Sequence, residues 1–237
     1  MKKIVVSLVA FSLFGCAEMQ QVMDQLPQGT GVLSQAEIES GLKEALNNGI
    51  TKQVSKLTAT DGFYRNEAVK IFLPEELKVV DKKLRQIGLS KLADEGLKVI
   101  NRAAEDAVKE ATPIFVDAVK QMSFNDAKNI LLGNDSSATN YLQNTTTTSL
   151  QAKFTPVIQS SYTRVGADKV WSEIITKYNS LPLVKKVNPN LTEYTTSKAM
   201  EGVFKMIAVE EKDIRTNLNA RSSNLLKKVF ALQDGKQ

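Results

Sequence analysis

The sequence predicts an all-α protein, a single helical domain of about seven to nine helices behind an N-terminal tether. Along most of the chain, apolar residues recur every three to four positions, which is the period of one helix face. Only 12 Gly and 6 Pro occur among 237 residues, too few for the many turns of a β-sandwich. With 42% hydrophobic and 24% charged residues, the chain also has enough apolar surface to fold. The predicted domain covers residues 34–237.

The N-terminus has the pattern of a bacterial export signal. Lys2-Lys3 precede the apolar stretch Ile4–Phe14, which is shorter than the roughly 20 residues that a membrane-spanning helix needs. The stretch runs into Leu13-Phe14-Gly15-Cys16, which resembles the lipobox of bacterial lipoproteins. In such signals the cysteine is acylated and becomes the new N-terminus. We therefore expect residues 1–15 to be removed as a signal peptide and Cys16 to be lipidated.

The residues that follow Cys16 indicate where the protein resides. Position 17 is alanine and not the aspartate that resembles an inner-membrane retention signal, which favours the outer membrane of the bacterial cell envelope, facing the periplasm. Each buried methylene contributes about 0.8 kcal/mol, so the acyl chains on Cys16 would make the membrane a permanent partner. Residues 16–33 lack a sustained helical period and are predicted to form the lipidated tether.

The composition excludes several classes of function. The chain has no histidine, which removes Ser-His-Asp and Cys-His catalysis and almost every zinc site. Its single cysteine excludes an intramolecular disulfide and iron–sulfur ligation. The formal charge is +5 and falls by the two lysines of the signal peptide, an excess too weak and dispersed for a nucleic-acid partner. We expect no metal and no cofactor.

The first predicted helix begins at the capping box Ser34-Gln35-Ala36-Glu37 and is interrupted or bent at Gly49. Asp61-Gly62 then predicts a turn. Val69–Leu73 alternates weakly and is predicted to be a short extended segment. Pro74 suits the first position of the helix that follows.

The central helix is predicted from Ser90 to about Met122. Its small or apolar face would let neighbouring helices approach closely, and this face consists of Gly96, Val99, Ala103, Ala107, Ala111, Ile114, Ala118 and Met122. Pro113 lies inside this stretch and removes one backbone hydrogen bond. We therefore expect a kink or a break near Val108–Lys109.

The remaining chain is also predicted to be helical. Ser123–Asp126 has the form of a second capping box, and Asn134-Asp135-Ser136 starts the next helix. That helix carries a run of four threonines and continues across Pro156 because its neighbours supply the apolar period. Further helices are predicted over 167–178 and 192–218 and after Ser222-Ser223, with the longest loop at 179–191.

The order and spacing of short motifs resemble a known family. The matching motifs are Gly41–Leu46, Asp61-Gly62-Phe63, Leu73-Pro74, Asn101–Glu105, Pro113-Ile114-Phe115, Asp126-Ala127, Ile130-Leu131, Gly133, Ala138-Thr139, Tyr178-Asn179, Glu210-Glu211, Ile214-Arg215 and Leu225–Phe230. They resemble the bacterial lipoprotein family catalogued as domain of unknown function 4197. The resemblance implies a helical, single-domain, exported protein and supplies no activity.

A candidate polar cluster lies on the central helix at Asn101, Arg102, Glu105 and Asp106. Arg102 is three residues from Glu105 and four from Asp106, so these side chains can pair on one helix surface. They could orient a ligand in a cleft, or they could be an ion-paired face that fixes packing. The second interpretation is favoured because paired helix charges are common.

Three aromatic residues, Trp171, Tyr178 and Tyr194, form a candidate groove for a sugar or peptide, with core packing as the favoured alternative. The acids Asp61, Asp126 and Asp135 lack the spacing of a calcium loop, and helix capping explains the last two. The segment that contains Glu210-Glu211, Asp213 and Arg215 is expected to be a solvated face. No residue is assigned a catalytic role.

These observations favour a non-enzymatic binding or structural module of the cell envelope, whose further partner is an envelope protein or a small-molecule ligand. A carboxylate-dependent envelope hydrolase is an alternative, although the acids form no recognisable pair. A carrier of an apolar ligand is another alternative, and it would need an enclosed cavity between helices.

Overall fold

The α-helices of the protein occupy most of the chain that the structure describes. In this computed structural model, the described residues are 33–86, 88, 90–169, 172, 176, 179–180, 182–183, 186 and 190–234. The helices are α1 (Gln35–Thr58), α2 (Lys78–Gln86), α3 (Ser90–Val108), α4 (Ala111–Gln121), α5 (Phe124–Leu131), α6 (Ser137–Val165), α7 (Leu191–Thr216) and α8 (Asn224–Asp234), with 3₁₀ turns at Glu75–Leu77 and Leu218–Ala220. Within these described ranges there is no β-strand, so the predicted all-α class is confirmed.

Helix α1 begins at the predicted capping box. The Ser34 hydroxyl accepts a hydrogen bond from the Glu37 amide at 3.2 Å, and the Glu37 carboxylate accepts one from the Ser34 amide at 2.8 Å. The expected interruption at Gly49 is wrong, because α1 is continuous to Thr58. A Cβ at Gly49 would lie 3.1 Å from the side chain of Glu210, so glycine here lets α7 approach. The buried apolar stripe of α1 outweighs the low helix propensity of that glycine.

The predicted central helix is broken where Pro113 indicated. Helix α3 ends at Val108, a turn of two residues follows, and α4 begins at Ala111. Pro113 then lies in the first turn of α4, where its missing amide proton is not needed. Gly96 was predicted to lie on the small face that neighbouring helices approach closely. This prediction is wrong, because Gly96 is exposed and a Cβ there would meet nothing within 4 Å. The fully buried alanines Ala103, Ala104 and Ala107 lie further along α3 and make the close helix contacts instead.

Helix α6 runs 29 residues through both the threonine run and Pro156. Thr145, Thr146 and Thr147 each donate a hydrogen bond to the carbonyl four residues earlier. The side-chain hydroxyls are therefore satisfied within the helix, and tertiary packing overrides their low propensity. The helix ends at Gly166, whose φ of 67° is left-handed.

The buried side chains form one continuous cluster that joins α1 and α3–α8, which confirms the predicted single helical domain. At its centre, the rings of Phe115 and Phe204 meet edge to face with centroids 5.9 Å apart. Helix α7 lies across α6, α3 and α1. None of the described helices is long and apolar enough to cross a membrane.

One predicted segment between helices has a different structure, and other predicted segments lie outside the described residues. The segment Val69–Leu73 is not a strand but an irregular stretch that leads to the turn at Glu75–Leu77. Most of the predicted helix over 167–178 and part of the predicted loop over 179–191 lie outside the described residues. The predicted signal peptide, Cys16 and nearly all of the predicted tether also lie outside them.

Candidate functional site

Asn101, from the candidate polar cluster, fastens the irregular stretch to α3. Its side chain is fully buried. The carboxamide oxygen accepts a hydrogen bond from the Ile71 amide at 2.8 Å, and the carboxamide nitrogen donates to the Ile71 carbonyl at 2.9 Å and to the Leu97 carbonyl at 2.8 Å. Both polar groups of the buried Ile71 backbone are thereby satisfied, as a neighbouring strand would satisfy them.

Glu105 and Arg102 hold the turn between α1 and the irregular stretch in a similar way. The buried Glu105 carboxylate accepts hydrogen bonds from the amides of Phe63 at 3.0 Å and Tyr64 at 3.3 Å. Arg102 pairs with Glu105 and, at 2.6 Å, with Asp61. Burial acts to lower the pKa of Arg102, but Glu105 and Asp61 outweigh it and raise that pKa above its usual value. The guanidinium therefore stays charged and locks the turn to α3.

Asp106 does not join this network. Its carboxylate pairs with Lys109 at 2.8 Å, at the turn between α3 and α4. The structure therefore joins Arg102 and Glu105 in one network with Asp61 from the turn, whereas Asn101 bonds separately to Ile71 and Leu97. The hydrogen bonds of Asn101, Arg102 and Glu105 hold the turn and the irregular stretch against α3, which is a role in packing.

A second polar network, which sequence reasoning missed, lies on α7. Glu211 and Arg215 were expected on a solvated face, and that expectation is wrong because their side chains are only 4% exposed. The Glu211 carboxylate accepts hydrogen bonds from the amides of Ala138 and Thr139 at 2.8 Å each and from the Thr139 hydroxyl at 2.7 Å. It thus caps the N-terminus of α6, where helix amides lack partners.

Arg215 caps the opposite end of another helix. Its guanidinium donates to the carbonyls of Ile130 at 2.8 Å and Leu131 at 3.2 Å, at the C-terminus of α5. It also donates to the Gln233 side chain of α8 at 2.8 Å. The apolar face of α7 includes Ile207 and Ile214, and the position of Glu211 and Arg215 on that face was the signal that could have identified them as buried.

A cleft lies between the irregular stretch and the N-terminal half of α7. Its volume is about 950 Å³. It is lined by residues 68–75, Lys78, 190–191, Glu193, Tyr194, Ser197, Lys198, Glu201, Gly202 and Lys205. Asn101 fastens Ile71 in one wall, Glu105 fastens the turn that precedes this wall, and α7 is the other wall. The residues of the polar cluster therefore do not line the cleft but hold the chain that forms or precedes one of its walls.

Tyr194, from the predicted aromatic groove, lies in the cleft wall. Its hydroxyl donates to the Phe72 carbonyl at 2.9 Å and so joins α7 to the irregular stretch. The Phe72 side chain is half exposed. Trp171 and Tyr178 lie outside the described residues, so Tyr194 is the predicted groove residue whose position the structure describes.

Four lysines and three glutamates line the cleft. The ammonium of Lys70 lies 4.9 Å from the centroid of the Tyr64 ring and 5.7 Å from that of Phe72. Lys198 pairs with Glu201 at 2.6 Å, and this hydrogen bond raises the pKa of the lysine. Lys205 is exposed at the rim. The cleft thus combines apolar and aromatic surface with lysine side chains.

The acids of the cleft are mostly engaged by lysines. Glu75 pairs with Lys78 as Glu201 does with Lys198. In the part of the chain that the structure describes, no group of three or more acids or other ligating side chains could hold a metal ion.

These observations define a helical domain with a cleft between α7 and an irregular stretch, and hydrogen bonds from Asn101 hold that stretch. The chain belongs to the family described as protein of unknown function (DUF4197), whose model matches residues 32–231. The match reaches from the tether into α8, as the resemblance of short motifs implied. Neither the curated proteins nor the solved structures contain a match to this chain.

Proposed function

We propose that this protein is a non-enzymatic binding module of the bacterial cell envelope, anchored by lipid on Cys16, that holds a small anionic amphipathic molecule in its cleft. The observation that carries the proposal is the cleft itself. Its volume of about 950 Å³ is in the upper part of the roughly 300–1,000 Å³ typical of ligand sites. Ligand sites of this kind combine apolar walls with a few placed polar groups.

The charges of the cleft favour an anionic ligand. Lys78 and Lys198 are each paired with a glutamate, but Lys70 is held over aromatic rings and Lys205 makes no ion pair with any described residue. An incoming carboxylate or phosphate would gain most from these two lysines. The apolar part of the ligand would lie against Phe72 and the neighbouring stretch.

The anchor is supported by the sequence around Cys16. The apolar stretch, the small residue before the cysteine and the alanine after it match an outer-membrane lipoprotein signal. A tether over 16–33, if extended at about 3.3 Å per residue, would reach roughly 50 Å from the membrane. This reach would let the cleft face the periplasm at a distance from the lipid surface.

The two alternatives have less support. The carrier hypothesis needs a large apolar interior, whereas a cavity between α1, α7 and α8 has a volume of about 50 Å³, close to that of one or two waters. The hydrolase hypothesis needs an available pair of acids, but Glu75 and Glu201 are each engaged by a lysine. Glu193 is an exposed cleft acid that forms no ion pair with a described residue.

Native mass spectrometry of the mature protein, gently extracted from its own envelope, tests the proposal. We expect a stoichiometric extra mass of a small anionic molecule. The double variant Lys70→Glu/Lys205→Glu should lose this mass, while Lys227→Glu, an exposed lysine on α8, should keep it. A protein that carries no extra mass, or a ligand whose occupancy ignores the cleft variant, would contradict the proposal.

Two further results would favour the other functions. Copurification of a protein that the cleft variant releases would identify the cleft as a protein docking site instead. Hydrolysis of an envelope polymer that Glu193→Gln abolishes without unfolding the protein would favour the hydrolase.

A further inference from the structure

A second, smaller cleft lies between α3 and the C-terminal end of α6. Its volume is about 280 Å³, and it is lined by Lys98, Val99, Arg102, Ala103, Asp106, Ser161, Arg164 and Val165. It shares no lining residue with the larger cleft. Two members of the candidate polar cluster, Arg102 and Asp106, lie at its edge. This cleft is therefore the place where that cluster meets a space that a ligand could enter.

The charges around the small cleft are unequally neutralised. Arg102 is held by Asp61 and Glu105, and Asp106 is neutralised by Lys109. Lys98 and Arg164 are exposed, and neither forms an ion pair with another residue that the structure describes. The two open cations therefore come from opposite walls, one from α3 and one from α6.

Ser161 supplies the second observation. Its side chain is buried, with 9% of the residue exposed, and its hydroxyl has no hydrogen-bond partner among the described residues. On the same helix, the Thr155 and Thr163 hydroxyls each donate to the carbonyl four residues earlier. Ser161 does not use that partner, and a buried hydroxyl left unpaired is destabilising. Serine has three staggered rotamers, so a rotation about χ1 can turn the hydroxyl toward the cleft.

We propose that this cleft binds a phosphate group, held by the Lys98 ammonium and the Arg164 guanidinium from the two walls, with the Ser161 hydroxyl as a donor at its base. A tetrahedral oxyanion has enough acceptor oxygens for all three donors at once, and charge-assisted hydrogen bonds of this kind are strong. The volume of about 280 Å³ suits a single phosphate group on a small substituent and not a long chain. Val99 and Ala103 provide an apolar floor that strengthens the electrostatic attraction.

The test is isothermal titration of the full mature protein with inorganic phosphate, at an ionic strength held constant with chloride. We expect saturable binding at one site. Lys98→Gln and Arg164→Gln should each weaken it about tenfold, as expected for the loss of a charge-assisted hydrogen bond. Ser161→Ala should weaken it about three- to fivefold without lowering the melting temperature, because the lost hydroxyl has no protein partner. Lys227→Gln is the control and should bind as the wild type does.

A second titration separates a free phosphate from a lipid headgroup. Soluble dihexanoyl phosphatidylglycerol is used as the probe, with and without inorganic phosphate. Binding that phosphate displaces would support a headgroup as the source, and binding of inorganic phosphate alone would support a free phosphate. Absence of saturable binding in both titrations, or equal affinities for wild type, Lys98→Gln and Arg164→Gln, would overturn the proposal. Because Lys98 and Arg164 lie outside the larger cleft, each probe is also titrated against Lys98→Gln and Arg164→Gln, and binding that neither variant weakens is assigned to the larger cleft.

Discussion

Glu211 and Arg215, one turn apart on α7, form a buried ion pair of 2.9 Å that joins two helix ends of opposite polarity. Glu211 binds the N-terminal amides of α6, and Arg215 binds the C-terminal carbonyls of α5. Each charge therefore lies at the helix end that its sign favours. The hydrogen bonds to both helices offset the cost of removing the two charges from water.

This relationship predicts a large loss of stability when one partner is removed. Glu211→Gln leaves the Arg215 charge buried without its carboxylate, and we expect the free energy of unfolding to fall by about 3–5 kcal/mol. Urea denaturation followed by far-UV circular dichroism measures it. Glu193→Gln, an exposed acid near the start of the same helix, is the control and should change stability by less than about 0.5 kcal/mol. A loss for Glu211→Gln no larger than that of the control would contradict the structural role.

Asn101→Ala should release the irregular stretch from α3. The Ile71 amide and carbonyl would lose their partners in a buried place, and we expect a loss of about 1–3 kcal/mol. Hydrogen exchange followed by mass spectrometry should show faster exchange at residues 70–73 with little change in α8. Asn125→Ala, an exposed asparagine in α5, is the matched control. Unchanged protection of the Ile71 amide in the Asn101 variant would show that other contacts hold the stretch.

Two glycines of helix interiors should respond oppositely to alanine. A Cβ at Gly41 would lie 2.6 Å from a methyl group of Val229 in α8, so Gly41→Ala should cost about 1–3 kcal/mol. A Cβ at Gly96 would meet nothing within 4 Å, so Gly96→Ala should stabilise the protein by about 0.5–1 kcal/mol through helix propensity. Melting temperatures of the two variants give the signs directly. Shifts in the same direction would contradict the packing of α8 on α1.

Asp234 should make stability depend on pH in the acid range. The hydrogen bond from Arg221 lowers the pKa of the Asp234 carboxyl below its usual value of 3.8. A carboxyl whose pKa is lower in the folded state contributes stability above its unfolded pKa and loses it as pH falls through the folded value. We therefore expect the stability difference between wild type and Asp234→Asn to be present at pH 7 and to shrink below about pH 4. Asp117→Asn, whose carboxylate is largely exposed, should show no such difference, and a difference for Asp234→Asn that persists at pH 2 would contradict the assignment.

Cys16→Ser tests the proposed anchor. The variant cannot be acylated, so we expect it in the soluble fraction after cell lysis and without label from a radioactive fatty acid. Wild-type protein should fractionate with the membrane and carry the label. A variant that stays equally membrane-bound and labelled would show that the lipobox assignment is wrong.

Local signals in the sequence located most helix ends, because capping requires only residues three positions apart. Both predicted capping boxes formed, and at the second the Ser123 hydroxyl accepts from the Asp126 amide at 3.2 Å. The continuity of α1 through Gly49 was not predictable from propensity, since it depends on apolar burial against α7 and α8. The Pro113 signal was sufficient to place the break between α3 and α4, because the steric conflict of proline is local.

The site depends on contacts between distant parts of the chain. Spacing of four residues on α7 was compatible with either a solvated or a buried Glu211–Arg215 pair, and the helix ends that bury it lie 72 to 85 residues away. The larger cleft likewise joins Phe72 to Tyr194, which are 122 residues apart.

The sequence by itself determined the all-α class, most helix ends and the Arg102–Glu105 pair on α3, because these follow from period, capping and neighbours within one helical turn. Only the tertiary structure decided that Asn101 and Glu105 hold a loop, that Glu211 and Arg215 are buried, and that two clefts open beside α3 and α7. Burial and cleft shape depend on which helices pack together, and a repeating apolar face does not specify its partner.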